Sequence, residues 1–332
     1  MTMRAAVNTK YGPPDVVRIE EVDRPTPGPN ELLVQVRATT VNRTDCGYRG
    51  GKPFIIKFFS GWRGPKHTVL GCEFAGVVEA VGSAVTNFSI GERVCGWCEN
   101  PHGAHAEYLA VRANRLIARI PEGRSFEQAA PSTEGALYAL SSLRDVPLKP
   151  GDDVLVYGAT GAIGSAAVQL AKSMGMRVTA VCGSANVDLV RGLGADKVVD
   201  YQTQDFTRDT QRYDLVLDAV GKSTFRRCKR LLKPKGAYSS TDFGPIARSA
   251  PFIIPMFIGR LLRSRLTRMI GRRRLLFTLP KKDPEGVAYL KGLIESGEYQ
   301  PVLDRTYPLE QIVEAYRRAE SGQKVGNIVI VP

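Results

Sequence analysis

The stretch Val154–Gly175, VLVYGATGAIGSAAVQLAKSMG, decides how the rest of the chain is read. Asp153 to Tyr157 has the apolar run of a buried strand and leads straight into Gly158, Gly161 and Gly164, after which the pattern turns helical. Strand, glycine turn and helix in that order are the context that gives a dinucleotide fingerprint its meaning. Glycine lets the backbone approach a pyrophosphate, and the start of the helix offers free amides and a partial positive charge to it. Ala159 stands where the common G-x-G-x-x-G pattern has its first glycine, so the context carries the assignment. The expected cofactor-binding residues of this loop are Gly158, Ala159, Thr160, Gly161, Ala162, Ile163 and Gly164.

Downstream, strand patterns over 177–182, 197–201, 214–219 and 236–240 alternate with helical ones over 185–193 and 224–232. That alternation predicts an α/β fold with a doubly wound parallel sheet of the Rossmann kind. The first 120 residues read instead as short strands punctuated by Pro25, Pro27, Gly28, Pro29, Gly71, Gly82 and Gly91, a small β-rich domain. A helical stretch is expected over 125–143. The chain closes with helical patterns over 284–296 and 309–321 and a strand over 327–331.

With 332 residues and 43% apolar content the chain is long enough for two domains, each with its own core. The N-terminus meets Gly12-Pro13-Pro14 before any apolar stretch builds, so no secretory signal is expected. The apolar piece Phe252 to Ile258 is broken by Pro255 and falls far short of the ~20 residues of a spanning helix. Six irregularly spaced cysteines are expected as free thiols in a reducing cytoplasm. The net charge of +13 is uneven: Arg248, Arg260, Arg263, Arg265, Arg268, Arg272, Arg273 and Arg274 fall between Phe243 and Leu275 with no acidic residue among them. The preferred reading of that segment is a helix with a solvated basic face; a substrate cap, a dimer-edge element or a peripheral membrane contact through 248–274 are the alternatives. Without an interleaved aromatic platform there, nucleic-acid binding is not expected.

Choice of nicotinamide cofactor turns on the end of the second strand, where an NAD site places Asp or Glu. Here the residues are Cys182-Gly183-Ser184-Ala185-Asn186. Ser184 and Asn186 can hydrogen-bond a 2′-phosphate, and Arg191 and Tyr201 are placed to reach it, so NADPH is favoured over NADH.

The motifs ATTVNRTD, LGCEFAGVVEAVG, IGERV, GAHAEY, LKPGDDVLVYGATGAIG, LGADKVVDY, DLVLDAVG and the terminal YPLEQIVEAYRRAESGQKVGNIVI span nearly the whole chain. Together they resemble the medium-chain dehydrogenase/reductase superfamily, and within it the zinc-free quinone oxidoreductase and enone reductase branch. The resemblance implies a GroES-like catalytic domain over 1–122 completed by 281–332, a Rossmann domain over 123–280, a cofactor in the cleft, and commonly a homodimer. It adds Val220, Gly221, Lys324 and Asn327 to the expected cofactor contacts. An exposed edge strand near 275–279 makes dimerisation plausible.

Zinc alcohol dehydrogenases of this superfamily hold catalytic zinc at positions that match Asn42, Cys72 and Pro131 here. Asn is a poor zinc ligand and Pro is none, whereas catalytic zinc takes three protein ligands; no metal is expected. Cys95, Cys98, His102 and His105 form a C-x2-C-x3-H-x2-H cluster, but its His pair sits too close for the usual finger, and His105 falls where relatives carry a strand-starting Tyr. Without a Lewis acid, reduction of a quinone or of a carbon–carbon bond conjugated to a carbonyl is the better fit, since a fixed donor then only has to stabilise the developing oxyanion. Asn42 is the best donor candidate; its alternative role is to hydrogen-bond backbone near Asp45. Tyr48 and Tyr138 are candidates to orient substrate or give the final proton, and Cys72 is a possible reactive thiol. Two rival readings remain: a cofactor-binding protein with little turnover that docks a membrane, nucleic acid or partner through its basic segment, and a zinc-type alcohol dehydrogenase.

Overall fold

A computed structural model describes residues 1–54, 56–98, 103–241, 259, 273–281 and 284–332. Most of the arginine-rich segment, including Arg248, Arg260, Arg263, Arg265, Arg268 and Arg272 with the apolar piece 252–258, lies outside the described residues, as does His102. The chain forms two compact units: Met1–Glu134 with Val287–Pro332, and Gly135–Gly286.

In chain order the first unit begins with β1 (Thr2–Val7), β2 (Arg18–Asp23), β3 (Glu31–Val41), α1 (Arg43–Gly50), α2 (Ile56–Ser60), β4 (Glu73–Val81), β5 (Arg93–Trp97), β6 (Tyr108–Arg112), β7 (Ile117–Arg119) and α3 (Phe126–Ala129). The helix expected over 125–143 is interrupted: a 3-10 turn, Ala130–Ser132, with Pro131 at ψ 20°, separates α3 from α4 (Glu134–Arg144). Proline has no amide to give the helix, so the axis breaks there. The second unit contributes β8 (Asp153–Tyr157), α5 (Ala162–Ser173), β9 (Arg177–Cys182), α6 (Val187–Gly192), β10 (Lys197–Asp200), β11 (Tyr213–Asp218), α7 (Phe225–Cys228), β12 (Leu232–Ser240) and β13 (Arg274–Phe277). The chain then returns to the first unit through α8 (Pro284–Glu295), β14 (Leu303–Pro308), α9 (Ile312–Glu320) and β15 (Asn327–Val331). Residues 123–134 pack with the first unit rather than with the glycine-loop unit, because Thr133 and Glu134 are bonded to Glu73 on β4.

In the first unit a seven-stranded sheet runs β14-β15-β3-β4-β5-β7, with β6 also on β3. At eleven residues, β3 is long enough to pair β6 along Glu31–Gln35 and β15 along Thr39–Val41 on the same edge. The register Ile328↔Val41 ties the chain's end to the strand that leads into α1. Leu32, Val34, Val36, Phe74, Val78, Val94 and Ile117 fill the core on one side of this sheet, and Tyr316 and Ile312 of α9 pack with Val41, Ile328 and Ile330.

The second unit holds six parallel strands in the order β10-β9-β8-β11-β12-β13. Val154, Leu155 and Val156 are fully buried, as a strand covered on both faces requires. The chain winds outward from β8 through β9 and β10, then crosses to β11 on the other side. At such a reversal the loops leaving β8 and β11 part, and open sheets of this kind bind ligands in that crevice. Among the described residues no helix is long and apolar enough to cross a membrane.

Candidate active site

The loop after β8 gives its glycines separate duties. Gly158 has φ 83°, a conformation strained for any residue with a side chain, and a Cβ there would lie 1.9 Å from Val220 Cγ2 in the loop after β11. A Cβ at Gly164 would lie 2.0 Å from the Gly158 carbonyl, so this glycine lets α5 pack on the turn. Gly161 is different. It has ordinary extended backbone (φ −75°, ψ 170°), and a Cβ would meet nothing closer than 3.7 Å. Nothing among the described residues therefore requires the bare backbone at Gly161, which caps α5 without a side-chain bond to the helix amides. An open backbone facing free amides is the cradle a pyrophosphate fits. Across the reversal, buried Asp218 accepts from the amides of Val220, Gly221 and Ser223 and from the Tyr238 hydroxyl, which fixes the second loop.

At the end of β9, Ser184 is exposed and Tyr201 is 54% exposed. Ser184 Oγ donates to Asp200 Oδ2 at 2.5 Å, and its amide donates to Gln202 Oε1. The Ser184 hydroxyl and the Gln202 amide, which donates to Asp200 Oδ1, hold the Asp200 carboxyl below the usual carboxylate range. Asp200 arrives from β10, the neighbouring strand, so a search confined to the residues after β9 misses it. Asn186 precedes α6 without capping it by its side chain, and exposed Arg191 pairs with Asp188 at 3.3 Å.

In the first unit a buried polar cluster surrounds the start of α1. Asn42 caps the helix: its Oδ1 accepts from the Asp45 amide at 3.1 Å, while Asp45 Oδ2 accepts from the Asn42 amide at 3.0 Å. This reciprocal pair fixes the Asn42 side chain, yet its Nδ2 is buried with no acceptor among the described residues. The remaining Asp45 oxygen accepts from the Gly71 amide, and the Cys72 thiol lies 3.5 Å away. Glu73 is buried and accepts from Thr40 Oγ1, from the amide and hydroxyl of Thr133, and from the Glu134 amide at 2.6 Å, placing a carboxylate at the start of α4. Glu134 is itself buried and accepts from Thr44 Oγ1 at 2.6 Å. Burial pushes both carboxyls up, Glu134 well above the usual range with help from the negative charges of Glu73 and Asp45. Lys324 stands close enough for its charge to oppose that rise; its own amine is pushed down by burial, and it donates to the Gly326 carbonyl at 2.6 Å.

Residues 28–122 match a family model described as an alcohol dehydrogenase GroES-like domain, and residues 193–330 match one described as a zinc-binding dehydrogenase. A 2-haloacrylate reductase from Burkholderia sp is 30% identical over 346 residues, covering 100% of this chain and 99% of the relative. The chain belongs to the medium-chain dehydrogenase/reductase superfamily, in its quinone oxidoreductase branch. A quinone oxidoreductase from Pseudomonas aeruginosa is 31% identical with 97% of each chain covered. The structure of the quinone oxidoreductase from Coxiella burnetii superposes with a TM-score of 0.83 at 28% identity, all of both chains being covered. The chain is an oxidoreductase of this superfamily with a nicotinamide cofactor.

The residues at the superfamily's zinc positions do not fit a metal. Asn42 is spent as a helix cap and Pro131 sits in the 3-10 turn with no donor to offer, which leaves the Cys72 thiol alone where catalytic zinc takes three protein ligands. Burial and Asp45 raise that thiol well above its ordinary value, which disfavours the nucleophilic thiolate. Cys98 Sγ turns to the Gly71 and Cys72 carbonyls, each at 3.0 Å, and the His105 ring bonds the Thr40 carbonyl at 2.7 Å. Cys95 is buried in β5 with its thiol pushed up to about 12 by burial. Among the described residues no three His, Cys, Asp or Glu come together as a metal-holding group. Tyr48 on α1 and Tyr138 on α4 are both half-buried. Asn327 is buried, with Nδ2 donating to the Val302 carbonyl, which makes it a brace for β15. The sequence did not single out Glu73 and Glu134; the available signal was an acid set inside an apolar strand and another at a helix start.

Proposed function

We propose that the chain is an NADPH-dependent, zinc-independent reductase of quinones or of the carbon–carbon double bond of α,β-unsaturated carbonyls. The observation that carries this reading is the Asn42 side chain, held rigid through Oδ1 while its Nδ2 is buried without an acceptor. A buried donor left unpaired costs on the order of 1–3 kcal/mol, a cost repaid when a substrate oxygen takes the bond. When bound, the reduced nicotinamide supplies the hydride. Asn42 Nδ2 donates to the carbonyl oxygen as negative charge develops there, the role of an oxyanion-hole donor. Tyr48 and Tyr138 orient the substrate or return a proton to it. Gly158 to Gly164, Val220 and Gly221 hold the pyrophosphate; Ser184, Asn186, Arg191 and Tyr201 border the 2′ position, and Lys324 supports the cofactor side of the site. Asp200, bonded to Ser184, works against a 2′-phosphate, so the preference for NADPH over NADH is modest. The relatives named for a 2-haloacrylate and for quinones support the substrate class. Six free, buried cysteines support a cytoplasmic setting, and β13 at the sheet edge supports a homodimer.

The test is NADPH oxidation by chelator-treated protein against quinones, enones, enals and saturated aldehydes, with NADH in parallel. Chelator-insensitive turnover of the conjugated substrates and quinones is the expected result. Turnover confined to saturated aldehydes, or abolished by the chelator, refutes the reading.

A further inference from the structure

Between Asp45 and Glu73 the chain has no acidic residue but carries Arg49, Lys52, Lys57, Arg63 and Lys66. Of these Lys52, Arg63 and Lys66 are exposed. In the same segment Phe58 is 54% exposed, Phe59 69% and Trp62 59%. The rings are not scattered: Phe54, Phe58 and Trp62 pack edge to face, with centroids 5.9, 5.1 and 5.2 Å apart. The tip is braced from below. Tyr11 donates its hydroxyl proton to the Gly61 carbonyl at 2.6 Å and lies 2.7 Å from Ser60 Oγ, while the Lys57 amine sits over the Tyr11 ring. A single exposed apolar side chain is ordinary, but a contiguous aromatic tip held outward by a rigid base marks a docking surface.

We infer that this aromatic tip, Phe54–Lys66, docks the protein on an anionic lipid bilayer surface, with Phe58, Phe59 and Trp62 entering the headgroup boundary and Lys52, Arg63 and Lys66 meeting the lipid charge. Trp and Phe combine apolar area with a tolerance for the wet interface, and basic side chains beside them are drawn to an acidic leaflet. The edge-to-face packing argues against a nucleic acid, which needs ring faces open for bases to stack on. The inference rests on neither the substrate reading nor the arginines of 248–274.

The chain has two tryptophans, Trp62 at the tip and half-buried Trp97 on β5, so the difference in emission between the wild type and W62F reports on the tip. Full-length protein is titrated with phosphatidylserine/phosphatidylcholine vesicles and with phosphatidylcholine alone, including brominated lipid. The expected result is a blue-shifted, bromine-quenched signal on the anionic vesicles, weakened by salt and missing in W62F. Cosedimentation of a F58S/F59S/W62S variant, with its fold checked by melting, falls roughly a hundredfold, the equivalent of burying the three rings in part. No shift on anionic vesicles, or equal sedimentation of the variant, overturns the inference. So does a blue shift that grows with protein concentration in the absence of vesicles, which points to a second copy, or a raised KM with unchanged vesicle binding, which makes the rings a substrate contact.

Discussion

Replacing Asn42 by Ser separates the two tasks of this side chain. Oδ1 accepts from the Asp45 amide at 3.1 Å, and Ser and Asn are near-equivalent N-caps, so the serine hydroxyl keeps that bond at a cost of a few tenths of a kcal/mol. The bond from the residue-42 amide to Asp45 Oδ2 is made by backbone and is untouched. What disappears is Nδ2, a buried donor without an acceptor, whose removal relieves about 1–3 kcal/mol in the free protein. Stability should therefore hold or rise, with a melting temperature unchanged or a few degrees higher on the scale of ~2–4 °C per kcal/mol. Activity should move the other way. Loss of one oxyanion donor costs about 10²–10³ in kcat, or roughly 2.7–4 kcal/mol. The assay is kcat and kcat/KM for an enone at saturating NADPH, beside thermal melting and NADPH binding by nicotinamide fluorescence. An N42S enzyme within about threefold of wild type in kcat refutes the donor role and leaves Asn42 a cap. Asn42→Ala, which loses cap and donor together, should lose activity and be about 1 kcal/mol less stable than N42S.

The glycine loop makes a paired prediction: G164A puts a methyl 2.0 Å from the Gly158 carbonyl and should lower the melting temperature sharply, whereas G161A meets nothing within 3.7 Å and should melt like wild type yet bind NADPH roughly tenfold more weakly. Fluorescence titration showing wild-type affinity in G161A would remove the pyrophosphate from that loop. Asp200→Asn takes a negative charge from beside Ser184 and should raise the NADPH-to-NADH affinity ratio about fivefold, read from paired Kd values; an unchanged ratio places the 2′ position elsewhere. Glu134 keeps its proton in the fold to a higher pH than in the unfolded chain, where it is lost near ~4.3, so stability falls as pH rises from there through the folded value, by up to ~1.4 kcal/mol per pH unit for one proton. Urea midpoints measured from pH 5 to 8 should fall less steeply in E134Q than in wild type, and parallel curves would contradict the buried neutral acid.

The sheet around β8 was legible because each of its strands is an apolar run and each link is local: Gly158, Gly161 and Gly164 announce the turn, and the order of strands follows from alternation. The first unit was harder. That β15 pairs β3 at Ile328↔Val41 is a contact between the two ends of the chain, and local periodicity carries no sign of it; the resemblance supplied it. Asn42 could be singled out from its position, but sequence offered capping and donation as alternatives; the geometry shows the cap on Oδ1 and leaves Nδ2 without an acceptor among the described residues, so the two roles no longer exclude each other. Asp200 is invisible at the end of the second strand because the acid beside Ser184 comes from the third, a neighbour that only the sheet order reveals. Glu73 and Glu134 are bonded across 61 positions, and an acid in an apolar run reveals that it needs partners without naming them.

The buried polar cluster of the first unit bears on the proposed role of Asn42 as a neutral donor. A dication can neutralise carboxylates and thiolates packed around it; here Asp45, Glu73 and Glu134 are crowded into one buried region with Lys324 as the nearby cation. Protons take up part of that balance. Glu134, pushed well above the ordinary carboxylate range, accepts the Thr44 hydroxyl, and burial favours its neutral acid beside α1. Burial acts on both groups: it raises the two glutamates and leaves the Asn42 Nδ2 donor dry, and a dry donor stabilises developing charge without first shedding water, as the proposed role requires.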